Sequence, residues 1–456
     1  MNKKISAAAL AAAIGIAGAQ VVLAAELPKA TQEILKEVKL GESILSGLDK
    51  ELVVPGKWIA EAKAGKELVI LSTWDNNQFR KLAAPFRERY PYINIKYSRS
   101  SYNARVVKTL IAWKEQRYLA DIVTGFGGGY FLLRDAGALE NLSDIPSFRN
   151  NVPKGMKDPN GHWVGQRLRY WCMSYNTDKV KKANLPKRWE DLITNKSWHD
   201  GKIGMGNRPQ LWLLMLWGAK GENWTKSYMS DFINKVKPQM RKEGTNAMVS
   251  LTVAGEMNAA LPSAAYRTKQ YLDKGAPINW HCPEPVPLAV SEMGIIKGAP
   301  NTAAAKMFAN WFLSKEGQIA QYAADQAPPV HKDLQTRQFL SFPDEILGKE
   351  IAFRGPEAEH YTKQMFAAWD PIWKKNSSKT KVSLVTFKGA IDAVKQRGRT
   401  IVIKHDGKPR EVMISGSRSN LTIAGKKQSR RKLKPGMTCE ITMPERGVEA
   451  TKATCK

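Results

Sequence analysis

Hydrophobic positions change their period several times along the chain. Residues 67–72 form a short apolar run between Glu67 and Ser72, the pattern of a strand buried on both faces. Residues 76–90 then place Phe79, Leu82, Phe86 and Tyr90 at helical spacing, and 93–97 read as a second strand. Strand, helix and strand in succession predict a parallel sheet. The alternation continues with a helix over 105–118, a strand over 120–124 and a short helix over 130–136 ended by Gly137. Asp158-Pro159-Asn160-Gly161 is a turn signal, because Asn-Gly tolerates positive φ. The run 163–175 that follows has few breakers, so it predicts a strand long enough to cross between two lobes. A second α/β block over 176–285 has strands at 202–205 and 278–282 and helices at 209–218, 225–241 and 250–261. Residues 291–297 return the chain, Asn301 and Thr302 cap a helix over 303–313, and Ser314 opens another.

The pattern differs at both ends. Residues 26–66 are polar, helix-favouring and linker-like. Beyond Trp373, the polar stretch 374–381 leads into short strands at 389–394, 400–404, 410–414, 421–423, 437–443 and 450–455. So many short strands in so little chain predict a small closed β-barrel.

Composition narrows the class. With 456 residues, 43% of them hydrophobic, and 14 Trp, 13 Tyr and 13 Phe, the chain is too long for one core and too aromatic for a disordered one. Lys3 and Lys4, an apolar small-residue run from Ala7 to Ala19 and small residues at Ala24 and Ala25 predict a signal peptide over 1–25. The first cysteine is Cys172, so a lipid anchor at the cleavage site is not expected and a periplasmic protein is. Export permits disulfides. The four cysteines allow three pairings; Cys439 and Cys455 are near neighbours, whereas Cys172 and Cys282 need a fold that joins distant strands. The net charge of +29 is uneven, since residues 376–456 carry 19 Lys plus Arg against 6 Asp plus Glu.

The stretches ADIV (120–123), AGAL (136–139), GHWVG (161–165), YNTD (175–178), LPKRWEDL (185–192), AGE (254–256), GAP (275–277), GIIKGAP (294–300) and NWFLSKEGQ (310–318) occur in one order. Taken together, over about residues 55–375, the chain resembles the extracellular solute-binding proteins of ABC importers, in the branch that includes periplasmic iron(III)-binding proteins and relatives for small organic ions. The resemblance implies a two-lobed α/β clamp of type II-like form that closes on a ligand by a hinge. Lobe 1 would comprise 67–170 and 288–375 and lobe 2 171–287, with 376–456 as a basic C-terminal β domain. If the two crossing segments lie side by side, Cys172 and Cys282 could pair at the hinge. The implied partners are a small-molecule ligand and the permease subunits, with a monomeric protein and no cofactor expected.

Ligands of open α/β sheets sit beyond the carboxyl ends of strands. That rule and the resemblance select Trp74, Asp75 and Asn76 after the first strand and Gly125, Phe126 and Gly127 in the glycine loop after the third. Arg169 and Trp171 share one face of the presumed crossing strand with Arg167, and a guanidinium there suits a carboxylate or phosphate. Arg208 and Gln210, after the strand at 202–205, mirror the first-lobe loop of Trp74 to Asn76, and Ser263 and Tyr266 lie in the segment 261–267. Iron-binding members use two adjacent tyrosines in that segment. Only Tyr266 is present, with Asp75 and His281 as further candidates, so an anionic or zwitterionic organic ligand is expected ahead of ferric iron. No catalytic motif occurs. The basic tail raises polyanion binding as a reading of another class, but Phe387 is its one aromatic residue, and single-strand binders stack bases on aromatics, so nucleic acid is not the expected partner.

Overall fold

The computed structural model describes residues 27–127, 129–355, 358–377, 383–405, 407–416, 418–445 and 447–456. The predicted signal peptide and part of the predicted linker at 374–381 lie outside these residues. A ten-stranded mixed sheet organises the larger part. Its strands are β1 (Glu67–Ser72), β2 (Asn94–Arg99), β3 (Ile122–Thr124), β4 (Val164–Asn176), β5 (Ile203–Gly206), β6 (Gln239–Arg241), β7 (Ala259–Ala264), β8 (Ile278–His281), β9 (Val286–Ile295) and β10 (Ile351–Arg354). The order is β2-β1-β3-β9-β4-β7-β5-β6, with β10 on β9 and β8 on β4.

The sheet is parallel where strand–helix–strand units build it, as in β1 with β2 and β3 and in β5 with β6 and β7. It turns antiparallel at β9 and β4. β4 joins the two halves: Val164 to Tyr170 pair with β9, and Trp171 to Asn176 pair with β7 and β8. The link from β8 to β9 passes between the halves beside it. There Cys172 is bonded to Cys282, with Cα atoms 5.3 Å apart, and the second disulfide joins Cys439 to Cys455.

Several elements differ from the sequence expectation. The helix expected over 225–241 runs only through Glu222–Asp231, continues as a wider turn through Phe232–Val236 and then gives way to β6. The helix expected over 250–261 ends at Val253, and the buried run Ala259–Ala264 becomes β7. A short run buried on every side has no period to separate strand from helix, so its neighbours decide. The segment 26–66 is packed rather than linking. Ile34, Leu35, Leu45, Leu48, Trp58 and Ala62 enter the main core, and Thr31 Oγ1 donates to buried Glu316 Oε1 at 2.6 Å. Its apolar stripe is diluted by lysines and glutamates on the solvent side. Lys374 to Ser377 are the last turn of the helix Ala358–Ser377, not the start of a linker. The body of this helix packs on the second half, against the helices Leu213–Lys220 and Glu222–Asp231.

The C-terminal strands are β11 (Leu384–Lys395), β12 (Thr400–His405), β13 (Lys408–Met413), β14 (Asn420–Ile423), β15 (Lys426–Lys427), β16 (Thr438–Pro444) and β17 (Lys452–Cys455). They form one sheet in the order β13-β12-β11-β16-β17-β14-β15 around a core of their own that includes Ile391, Ile401, Ile403, Val412 and Ile441. The expected closed barrel is not shown: among the described residues no ladder joins β13 to β15, and an isolated bridge of Met413 to Glu449 is what links β13 to the segment before β17. Closure depends on strand tilt and stagger, which strand spacing in the sequence does not encode.

Candidate functional site

The carboxyl ends of the parallel strands and the middle of β4 open on one cleft. The first half contributes the loop after β1 and the glycine loop after β3. The second contributes the loop after β5 and the start of the helix Thr245–Val253. Two adjoining cavities, of about 800 and 160 Å3, share Thr73, Arg169, Trp171 and Thr245 in their walls. The larger suits a small organic molecule.

Glycine shapes the first wall. Gly125 has φ +66°, and a Cβ there would stand 2.9 Å from Thr73 Cγ2, so the two loops can meet only with glycine at this position. Arg105 secures the turn by donating to the Gly125 carbonyl from Nη2 at 2.9 Å and from Nε at 3.2 Å. Burial, followed by repulsion from Arg169, pulls its pKa down to about 10.

The arginines of the cleft divide into committed and uncommitted groups. Arg167 is fully buried, forms an ion pair with Asp325, donates to Thr73 Oγ1 at 2.8 Å and lies 4.4 Å from the centre of the Trp74 ring. Asp325 also accepts the Trp74 indole N–H at 3.0 Å. Arg354 is held by Glu292 and by the Val290 carbonyl. Arg169 makes only a long contact of 3.5 Å to Thr73 Oγ1 and lies over the Tyr266 ring at 5.7 Å. Arg208 is exposed on the opposite wall and donates to its neighbour's carbonyl.

Five buried polar atoms around the cleft have no partner within the described chain: Arg167 Nε, Arg169 Nε, Trp171 Nε1, Gln210 Oε1 and Arg267 Nε. Trp171 is 3% exposed, so its unmet indole N–H carries the cost of a buried donor until something accepts from it. Burial resists ionisation of the Tyr266 phenol, but Arg169, Arg167 and Arg267 outweigh it and hold the pKa below the ordinary tyrosine value. The cleft therefore stabilises negative charge.

Of the residues expected from sequence, Gly125, Gly127, Arg169, Trp171, Arg208 and Gln210 line the larger cavity. Trp74, Asp75 and Tyr266 join Arg169 and Trp171 around the smaller one. Trp74, however, is 2% exposed and packed on Phe79 and Phe312, and Asp75 caps a helix and pairs with Arg99. Asn76, Phe126 and Ser263 line neither cavity; Phe126 is core, and Ser263 Oγ is 2.9 Å from Ser174 Oγ. His281 is structural, 2.8 Å from Glu345 and 2.6 Å from the Pro186 carbonyl. Sequence reading missed Thr245, Asn246 and Arg267, which follow helix-start and tyrosine signals it did not weigh, and Lys363 and Phe366, which only the docking of a distant helix brings to the cleft.

Glu51, His331 and Asp333 form a group whose ligand atoms lie within 4.8 Å of one another. Both His331 nitrogens are engaged, Nδ1 by the Asp333 N–H at 3.2 Å and Nε2 by Glu51 at 3.1 Å. Lys315 lies 3.4 Å from Asp333 and its N–H donates to Glu51. Contacts within the chain therefore already engage each member of the group.

Residues 118–345, half of the chain, match the family described as bacterial extracellular solute-binding protein. Solved structures agree on the fold. An iron-bound HitA of Pseudomonas aeruginosa is 19% identical at a TM-score of 0.56, with 67% of this chain and 99% of that one covered. The ferric binding protein of Campylobacter jejuni is 18% identical at 0.57, with 67% and 99% covered. The periplasmic binding protein AfuA of Actinobacillus pleuropneumoniae, bound to fructose-6-phosphate, is 19% identical at 0.55, with 68% and 98% covered. These relatives are spanned almost end to end, while about a third of this chain lies outside the match. The sheet split across a crossing strand, the cleft at that split and the matched segment lead to one assignment: the chain belongs to the bacterial extracellular solute-binding protein family.

Proposed function

We propose that this protein is the periplasmic binding component of an ABC importer and captures a small organic anion, carboxylate- or phosphate-bearing, between two lobes. The observation that carries the ligand class is the pair Arg169, whose Nε has no partner within the described chain, and exposed Arg208, free of any carboxylate among the described residues, on opposite walls of the cleft, together with the unpartnered Trp171 indole N–H. A planar guanidinium grips such a group with two parallel hydrogen bonds, and the N-terminus of the helix Thr245–Val253 adds the positive end of a helix dipole. In this reading the lobes are the two sheet halves, the helix Ala358–Ser377 moves with the second, and β4 with the β8–β9 link is the hinge. A permease in the membrane receives the ligand. Among the described residues, no helix is long and apolar enough to cross a membrane.

A second reading, ferric iron as cargo, is favoured by the lowered pKa of Tyr266, which makes a phenolate ligand accessible. Arg167, Arg169 and Arg267 around it oppose a bare cation, so iron would enter with an accompanying anion. Thermal-shift titration with sugar phosphates, polycarboxylates, phosphonates and ferric salts separates the two. An organic anion should stabilise the protein, and Arg169→Ala and Arg208→Ala should each weaken binding by about tenfold or more. A shift given by ferric salts alone and abolished by Tyr266→Phe would replace the first reading with the second.

A further inference from the structure

The C-terminal sheet docks on the second half of the clamp beside the cleft, and the seam between them encloses a cavity of about 390 Å3. One wall is built from the helices Thr245–Val253 and Ala265–Leu272, the other from the loops before β12 and β14 and the turn Arg430–Lys432. Four arginines, Arg267, Arg399, Arg418 and Arg430, face the cavity against one carboxylate, Glu449. So many like charges in one partly buried space repel one another unless something negative sits among them.

Their own partners answer only part of this charge. Glu449 is occupied by Arg418, which donates to it from Nε at 2.7 Å and from Nη2 at 2.6 Å. Arg430 spends Nη1 on the Ile414 carbonyl at 3.1 Å. Arg267 donates to Gln270 from Nη1 at 2.8 Å and to the Tyr271 hydroxyl from Nη2 at 3.4 Å, and its buried Nε has no partner within the described chain. On the same wall the Tyr271 hydroxyl lies 2.5 Å from Ser250 Oγ. Burial alone would raise the Tyr271 pKa, but Ser250, Arg267 and Arg399 hold it below its ordinary value. The pocket thus favours negative charge even on its own phenol.

We infer that this interdomain pocket is a second ligand site, separate from the cleft, for a small polyanion with two or more phosphate or carboxylate groups, held by Arg267, Arg399 and Arg430. Two anionic groups fit the arrangement because the arginines approach from both walls. A single charge would leave one wall unanswered. Arg267 and Asn246 also border the cleft's smaller cavity, so the two sites share a wall.

Inorganic pyrophosphate, titrated into the full mature chain by calorimetry and thermal shift at constant ionic strength, is the probe. The wild type should bind it. The double variant Arg399→Ala/Arg430→Ala should bind at least about tenfold more weakly, because each removes a charge-assisted contact, while Arg208→Ala on the far wall of the cleft should bind as the wild type does. If the double variant does not fold, Arg399→Gln alone carries the test with an expected loss of about fivefold. No binding by the wild type, unchanged binding by the folded arginine variant, or loss of binding in Arg208→Ala would each overturn the proposal, the last by placing pyrophosphate in the cleft. The proposed cleft ligand is tested separately by the Arg169→Ala titration, so failure here and failure of that reading are distinguishable.

Discussion

Arg167 and Arg169 stand two residues apart on the same face of β4 and do different work. Arg167 is buried against Asp325 and Trp74, whereas Arg169 keeps donors for the cleft. Removing one member of a buried ion pair leaves the other charge without compensation, at about 3–5 kcal/mol. Arg167→Ala should therefore lower stability by that order in urea unfolding, and Arg169→Ala should change it by less than about 1 kcal/mol while impairing ligand binding. The reverse order would mean that the committed and uncommitted roles are exchanged. Alternation along the strand places both side chains on one face, but the difference lies in Asp325, which is 158 residues further along than Arg167. Local spacing therefore could not separate them. Trp74 repeats the lesson, since its loop position pointed to the ligand and its indole N–H is spent on the same aspartate.

At the scale of elements, β4 and the β8–β9 link carry the connection between the halves, and the bond between Cys172 and Cys282 ties them together. The bond closes a loop of 110 residues, so chain entropy predicts a loss of roughly 3–5 kcal/mol on its removal. The variant Cys172→Ser/Cys282→Ser should lose stability by that order in denaturant while still binding ligand, because neither sulfur borders the cleft cavities. A variant of wild-type stability would show that the surrounding strand pairs already hold the crossing in register. The crossing strand was legible because its length exceeds the needs of one lobe. β7 was not, because every residue of Ala259–Ala264 is buried, Ser263 included, and no alternation of buried and exposed positions reveals the period of two.

For the whole molecule, the separation of charge is the organising fact. Residues 376–456 hold 19 basic and 6 acidic residues, and the fold turns part of that excess toward the clamp in the interdomain pocket while Lys426 and Lys427 stay exposed on β15. The clamp reading makes a global prediction. Small-angle scattering should show the radius of gyration falling when the organic anion is added, as the two halves rotate about β4 and the β8–β9 link. Arg169→Ala at the same ligand concentration should stay open. An unchanged radius in a protein with demonstrated binding would remove lobe closure from the mechanism while leaving the ligand class intact.

The amino-acid sequence by itself determined the α/β alternation, the long crossing strand, the uneven charge and most of the cleft loops, while the pairing of the four cysteines was left to the fold. These follow from local periodicity, turn chemistry and the rule that ligands sit beyond strand ends. Only the tertiary structure decided which arginines are free, that residues 26–66 are core rather than linker, that no ladder joins β13 to β15 among the described residues, and that Lys363 and Phe366 reach the cleft. Each depends on groups distant in the chain meeting in space: Arg167 on Asp325, Ile34 and Leu35 on the main core, β13 on whether β15 can reach it. Local patterning sets what each segment can bury, and packing between segments settles which charges are left to meet a ligand.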